Sequence, residues 1–324
     1  MTSTPTETPQ LRPEQMTLRQ WARRRQFLRL IVLLSSGIGY LIIFYGVPLV
    51  RAFIGSIGLY SPTRQTSGFT LHWFAVILHN PAYRASFFFS LWLALGPVLL
   101  SLLISVPLAA FLQKTFLGKK TFEALYKIPL AVPGIVVAFI VMTSIDKGGV
   151  LHRLFKYYLD LLVPDQLPWL KIGANWPKFV RDPIGLGVIL ATAWKNIPFM
   201  TLIIGGAMSA ISHDVLDAAR TLGAKRLTVF FRIQIPLALP GISAAVLLSF
   251  IRSIGAYAVP RLLGPPEYPL PLSIRMFEFA TEQNEWEIVF AMGILLSVAA
   301  SAVLLAYYAL TARLNRAFLA GRRN

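Results

Sequence analysis

The sequence predicts an all-α integral membrane protein, and two observations carry that reading. Hydrophobic residues make up 56% of the chain and charged residues only 14%, far from the quarter charged of a soluble domain. Six stretches are also long and apolar enough to cross a bilayer as helices, falling at about Leu30–Val50, Ser86–Leu112, Ala124–Ile145, Gly185–Ile211, Leu237–Val259 and Ile288–Leu310.

Taken in order, residues 1–29 form a basic arm. Its first part is rich in Thr, Pro and Gln, with too little apolar surface to fold alone, and Trp21–Arg29 reads as a basic interfacial segment. The first span is too long for a cleaved signal peptide, follows the basic arm and lacks a small-residue cleavage pattern, so the chain is expected to keep it. Residues 30–311 then make one six-span unit with a loop at 212–236, and 312–324 form a basic tail. The connections at 52–85, 146–184 and 260–286 lie on the other side. In the second of these, Leu151, Leu154, Phe155, Tyr158, Leu159 and Leu162 recur at helical spacing, which predicts a short amphipathic surface helix. The third is proline-rich and then acidic, with Glu278, Glu282, Glu285 and Glu287.

The formal net charge of +17 raises nucleic acid as a partner, but its distribution points elsewhere. The arm, Lys114–Lys120, the 212–236 loop and the tail carry seventeen Lys and Arg against four acids, whereas the opposite loops hold ten bases and eight acids. Excess Lys and Arg mark the cytoplasmic face, so both termini are predicted inside. The basicity is a topology signal and a contact for lipid headgroups, not a nucleic-acid surface.

The chain has no cysteine, so disulfide and thiolate chemistry are excluded. His72, His79, His152 and His213 show no metal-ligand spacing, and no metal site is expected. No pair of carboxylates, Ser/His or Asp/His constellation recurs at one membrane depth, which argues against an enzyme. A secondary transporter would need an ion-coupling carboxylate inside a span or a repeated half, and neither is visible.

The segment between the fourth and fifth spans holds the most specific pattern. It reads Asp217-Ala218-Ala219-Arg220-Thr221-Leu222-Gly223 and, after nine residues, Ile233-Gln234-Ile235-Pro236. Ala218 and Ala219 leave a helix face bare enough for another protein to approach closely, and Gly223 permits a sharp turn. Leu227, Phe230 and Phe231 give the next segment an apolar side, which Pro236 and Pro240 are predicted to end.

Ionisable groups deep in lipid are functional candidates because they are costly to place there. Lys127 lies near the start of its span and reaches headgroups by snorkelling. Lys195 and Arg252 are placed deeper, roughly 10–15 Å below the outer surface at 1.5 Å per residue, with no acid at matching depth. Thr192, Trp194, Asn196, Ser253 and Tyr257 surround them in sequence with hydrogen-bonding and aromatic groups. Together Trp194, Lys195, Asn196, Arg252, Ser253 and Tyr257 are the candidate solute pathway, with interhelical packing as the alternative role.

The 217–236 segment resembles the cytoplasmic signature of permease subunits of type I binding-protein-dependent ABC importers, which is Glu-Ala-Ala, three residues, Gly, nine residues, then Ile-x-Leu-Pro. Both gaps are kept, and Asp217 and Ile235 depart from the pattern. The resemblance extends over about Ser86–Leu310. It implies a six-span type I importer permease fold in which Asp217, Ala218, Ala219, Gly223 and Pro236 belong to a coupling helix that docks an ATPase. The chain has no G-x-x-x-x-G-K-[ST] phosphate loop, so it binds no cofactor itself, and ATP and Mg fall to separate ABC ATPase subunits. An extracytoplasmic solute-binding protein and a second permease, preferably non-identical, complete the implied assembly in the cell inner membrane. Gly255–Gly264 and Trp194–Met200 look most like the polyamine, iron and thiosulfate branch. Two unpaired bases at mid-depth would repel a polyamine, so a small polar or anionic organic solute is favoured, with sugar or polyamine transport as the alternative.

Overall fold

The computed structural model describes residues 34–62, 68–158 and 176–320, with side chains to residue 313. The arm to Arg29, the first residues of the first span from Leu30, the positions of Leu159 and Leu162, and Arg322 and Arg323 lie outside the described residues. The described residues form helices α1 (Leu34–Ser56), α2 (His72–His79), α3 (Pro81–Leu112), α4 (Lys119–Ala131) and α5 (Gly134–Ile140), which ends in a wide π turn at Val141–Ile145. Then come α6 (Val150–Tyr158), α7 (Leu186–Ser209), α8 (His213–Thr221), α9 (Arg226–Ile254), α10 (Ala258–Leu263), α11 (Leu272–Glu278) and α12 (Trp286–Ala320). Among the described residues, six runs are long and apolar enough to cross a membrane, and no strand is present.

The centre of the bundle is the pair α3 and α7. Four side chains tie them: Trp92 Nε1 donates to the Ile184 carbonyl at 2.8 Å, Ser101 Oγ to Ala193 at 3.2 Å, Ser105 Oγ to Ile197 at 3.0 Å and Gln113 Nε2 to Gly205 at 3.2 Å. Every acceptor lies 92 residues after its donor, so the two helices run parallel and in one unslipped register. Ser101, Ser105 and Ala109 are fully buried, small enough to bring the backbones together as membrane helices require.

α9 packs antiparallel on α7, with Met200, Ile204 and Met208 set against Ala238, Ile242 and Ala245. Gly241 lies so close to Ala207 that an added Cβ would collide with its methyl group. α12 covers the C-terminal half of α1, where Gly55 sits beneath the Phe290 ring. At the N-terminal end of α7, Asp146 Oδ1 accepts from the backbone N–H groups of Phe179 and Val180, and Trp176 Nε1 donates to Ile145 O. The amphipathic helix predicted in this loop is α6: Phe155 packs on Trp176 with ring centroids 5.3 Å apart, while Leu151, Leu154 and Tyr158 are exposed.

Three predicted elements differ. The run Ala124–Ile145 is not one helix, because Val132 is extended (ψ 124°) ahead of Pro133, whose ring disfavours a helical residue before it. α4 and α5 are therefore separate, and the third span-like run, Gly134–Tyr158, is itself interrupted at Asp146–Gly149. Pro236 and Pro240 do not end a helix. The chain is helical from Arg226 to Ile254, and the π turn Phe230–Gln234 just ahead of Pro236 widens the backbone where that proline removes a donor. The same helix stops at Ile254 rather than Val259, with Gly255–Tyr257 irregular and α10 beyond.

Because Gly241 meets Ala207, Gly241→Val should lower stability by about 1–3 kcal/mol through overpacking, read as a drop in the thermal unfolding midpoint in detergent. An unchanged midpoint would mean that α7 and α9 are not held at this distance.

Candidate functional site

The segment 210–225 folds as a short amphipathic helix closed by a defined stop. α8 starts after Ser212 in an extended conformation and carries Asp214 in its first turn, where a carboxylate suits the positive helix end. Leu216 is buried, Asp217 and Ala218 are exposed and Ala219 is half-buried. Asp217 Oδ1 accepts from Arg220 Nη1 at 2.7 Å on this exposed face. Gly223 is left-handed at φ +84°. Its N–H bonds the Arg220 carbonyl at 2.9 Å and the Ala224 N–H bonds the Ala219 carbonyl at 3.0 Å, the paired pattern of a Schellman helix end. The turn predicted at Gly223 is present, and nothing lies within 4 Å of where its Cβ would be. Pro236 lies apart from this face, inside α9. Leu222, missed in the sequence because it fits no periodic stripe, is 89% exposed beside Gly223.

The second group of predicted residues gathers on facing sides of α7 and α9. Asn196, 3% exposed, donates from Nδ2 to Ser253 Oγ at 3.3 Å. That bond sets Ser253 level with a residue ten positions into α7, about 15 Å from its outer end. Lys195 is half-buried and Arg252 exposed, and the Asn196–Ser253 bond sets the turns that carry them at one level. Among the described residues neither base has a carboxylate partner. The Arg252 guanidinium instead stands over the Phe199 ring, 4.6 Å from its centroid, a cation–π contact that sequence inspection missed because Phe199 reads as ordinary core.

Two predicted members fall outside this cluster. Trp194 lies two residues from Asn196 and so on the opposite side of the helix, and its side chain is exposed. Tyr257 stacks on Phe277 of α11 with centroids 4.9 Å apart. The break in α9 after Ile254 explains the local chemistry. Ser90, Thr192, Ser253 and Ser273 line a small recess there, and Ser273 Oγ donates to the Ala256 carbonyl at 2.8 Å. Irregular backbone at membrane depth persists where such groups and a polar cavity take up its hydrogen bonds.

A polar seam between α7 and α9, with Asn196 and Ser253 buried, Lys195 half-buried and Arg252 exposed, is what a solute-moving bundle carries, and the comparisons show a transport family. Residues 101–316 match the family described as "Binding-protein-dependent transport system inner membrane component". The molybdenum transport system permease protein ModB of Escherichia coli (strain K12) is 30% identical over 56% of this chain and 72% of its own length. The spermidine/putrescine transport system permease protein PotB of Salmonella typhimurium (strain SL1344) is 28% identical over 88% of this chain and 94% of its own. A chain from the crystal structure of a bacterial ABC transporter involved in the import of the acidic polysaccharide alginate superposes with a TM-score of 0.72, covering 91% of this chain and 99% of that one at 19% identity. With two thirds of its length inside the matched region and six helices able to cross the bilayer, the chain belongs to the binding-protein-dependent transport system inner membrane components: it is a multi-pass, non-catalytic permease subunit of an ABC importer.

Proposed function

We propose that this subunit passes a small polar, anionic organic solute along the α7–α9 seam and docks an ABC ATPase through α8. The observation that carries the solute reading is that the Asn196–Ser253 bond sets the turns bearing Lys195 and Arg252 at one depth, with no carboxylate partner for either base among the described residues. Two cations at one level of a low-dielectric setting repel each other, and an anion between them relieves that repulsion. The docking reading rests on Ala218, exposed and without side-chain bulk, beside the Asp217–Arg220 pair and the Gly223 turn. The Lys and Arg excess on the α8 side supports placing that side, and both termini, in the cytoplasm.

A second, non-identical permease completes the pathway. In a homodimer a second Lys195 and Arg252 would face the same path, doubling the positive charge. A polyamine is the alternative solute, favoured by the near full-length likeness to the spermidine/putrescine permease and opposed by the two bases.

In the complete transporter, Lys195→Gln and Arg252→Gln should each reduce uptake of anionic solutes about ten-fold or more, the worth of a charge-assisted hydrogen bond. Undiminished uptake of those solutes, or spermidine uptake in the parent, would remove the anionic reading. Ala218→Trp should abolish co-purification of the ATPase while the chain still inserts. Gly223→Val should weaken that association as well, since a left-handed β-branched residue costs about 1–2 kcal/mol. Full ATPase recovery with Ala218→Trp would disprove docking at α8.

A further inference from the structure

The elbow between α3 and α4 has no part in the pathway or the docking helix, yet its composition is not that of an ordinary connection. Gln113 bonds Gly205, four residues before the end of α7, so the elbow stands at the same end of the bundle as α8. Phe111, Phe116 and Phe122 cluster there with centroids 4.8–6.3 Å apart, and Tyr126 continues the row at 6.1 Å. At the tip, Leu117 is 103% exposed ahead of Gly118, which is left-handed at φ +81°. Lys114 and Lys120 flank it, both exposed and without an ion pair among the described residues.

The helix that follows divides cleanly. At 100° per residue, Phe122, Leu125 and Ile128 share one side of α4, whereas Lys119, Lys120, Glu123 and Lys127 share the other. The three apolar residues are 39%, 58% and 51% exposed. They continue the exposed apolar line that Ile104 and Phe111 draw down α3. On the charged side Glu123 is shared, 3.9 Å from Lys119 and 3.7 Å from Lys127. Residues 113–131 therefore keep a surplus of positive charge at the level where spanning helices end.

We propose that this elbow is a binding site for anionic phospholipid of the inner leaflet. Leu117, Phe122, Leu125 and Ile128 enter the acyl boundary, and Lys114 and Lys120 hold a phosphodiester headgroup. The leaflet assignment rests on the inside placement of α8 argued above; the site does not. Continuity with the exposed apolar side of α3 and the unpaired lysines favour lipid over a protein as the occupant. The consequence is local: α4 packs on α7, so a bound headgroup braces the helix that carries Lys195.

The absence of cysteine from the chain allows a direct test. Leu117→Cys, labelled with an environment-sensitive fluorophore, is placed in the assembled transporter in nanodiscs of phosphatidylcholine and phosphatidylglycerol, one of the two brominated in turn. Brominated phosphatidylglycerol should quench the label more than brominated phosphatidylcholine at equal fraction. Lys114→Gln and Lys120→Gln should each cut that preference by about five-fold, the worth of one lysine near an anionic surface. Equal quenching by both lipids in the parent would overturn the proposal in favour of a non-selective interfacial contact. Quenching by neither would overturn it in favour of cover by a protein subunit. Neither result bears on solute uptake or on ATPase recovery, which test the earlier readings separately.

Discussion

Register between α3 and α7 is the constraint on which the rest of the structure depends. In lipid, apolar side chains gain little by meeting one another, so helices associate through close packing of small residues and through interhelical hydrogen bonds. Here the donors are Trp92, Ser101, Ser105 and Gln113, and a constant offset of 92 residues leaves no room for a slip. Two rungs, Ala193 and Ile197, bracket Trp194–Asn196. In that turn Pro198, buried within α7, supplies no N–H to the Trp194 carbonyl. The ladder thus braces α7 from outside at its weakest turn, and the braced turn is the one that presents Lys195 and Asn196.

α9 completes the seam from the other side. Asn196 meets Ser253 and Phe199 meets Arg252, so an amide and a ring on one helix answer a hydroxyl and a guanidinium on its neighbour. Arg252 stands in the last turn before the break, where the negative end of the helix dipole favours a cation. That dipole and the Phe199 ring together account for an arginine at membrane depth with no carboxylate partner among the described residues. Lys195 has no such support, which leaves its charge the less compensated of the two.

Much of this was legible in the residues. Six apolar runs and the alternation of basic and balanced loops announce the architecture, and Asp217–Gly223 foretells both a helix and its left-handed stop. Where sequence reading failed, the cause was that hydropathy reports how apolar a stretch is and not which way its backbone turns. Ala124–Ile145 is apolar throughout and still breaks at Val132. Pro236 looks like a stop and is not one, because the effect of a proline depends on whether the preceding turn can widen. Lys195, Asn196, Arg252 and Ser253 were found from depth and charge alone. Trp194 was misplaced because nearness along the chain does not put residues on one side of a helix, and Phe199 was missed because an aromatic over a guanidinium has the same sequence signature as one in a core.

The 210–225 segment is the only stretch of chain between α7 and α9, and each of those helices is unbroken from it to the seam. Lys195 lies partway along one of these helices and Arg252 near the far end of the other, and both helices extend from one short piece. Between that piece and the two bases the helical hydrogen bonding is interrupted in α9 by the π turn at Phe230–Gln234 and the prolines that follow it, and in α7 at Pro198, where the α3 ladder braces the turn. A tilt imposed on the segment would be carried along both helices and change the spacing between two positive charges. On the proposed function, a mechanical displacement at one end of the bundle would then be felt as an electrostatic one partway along it.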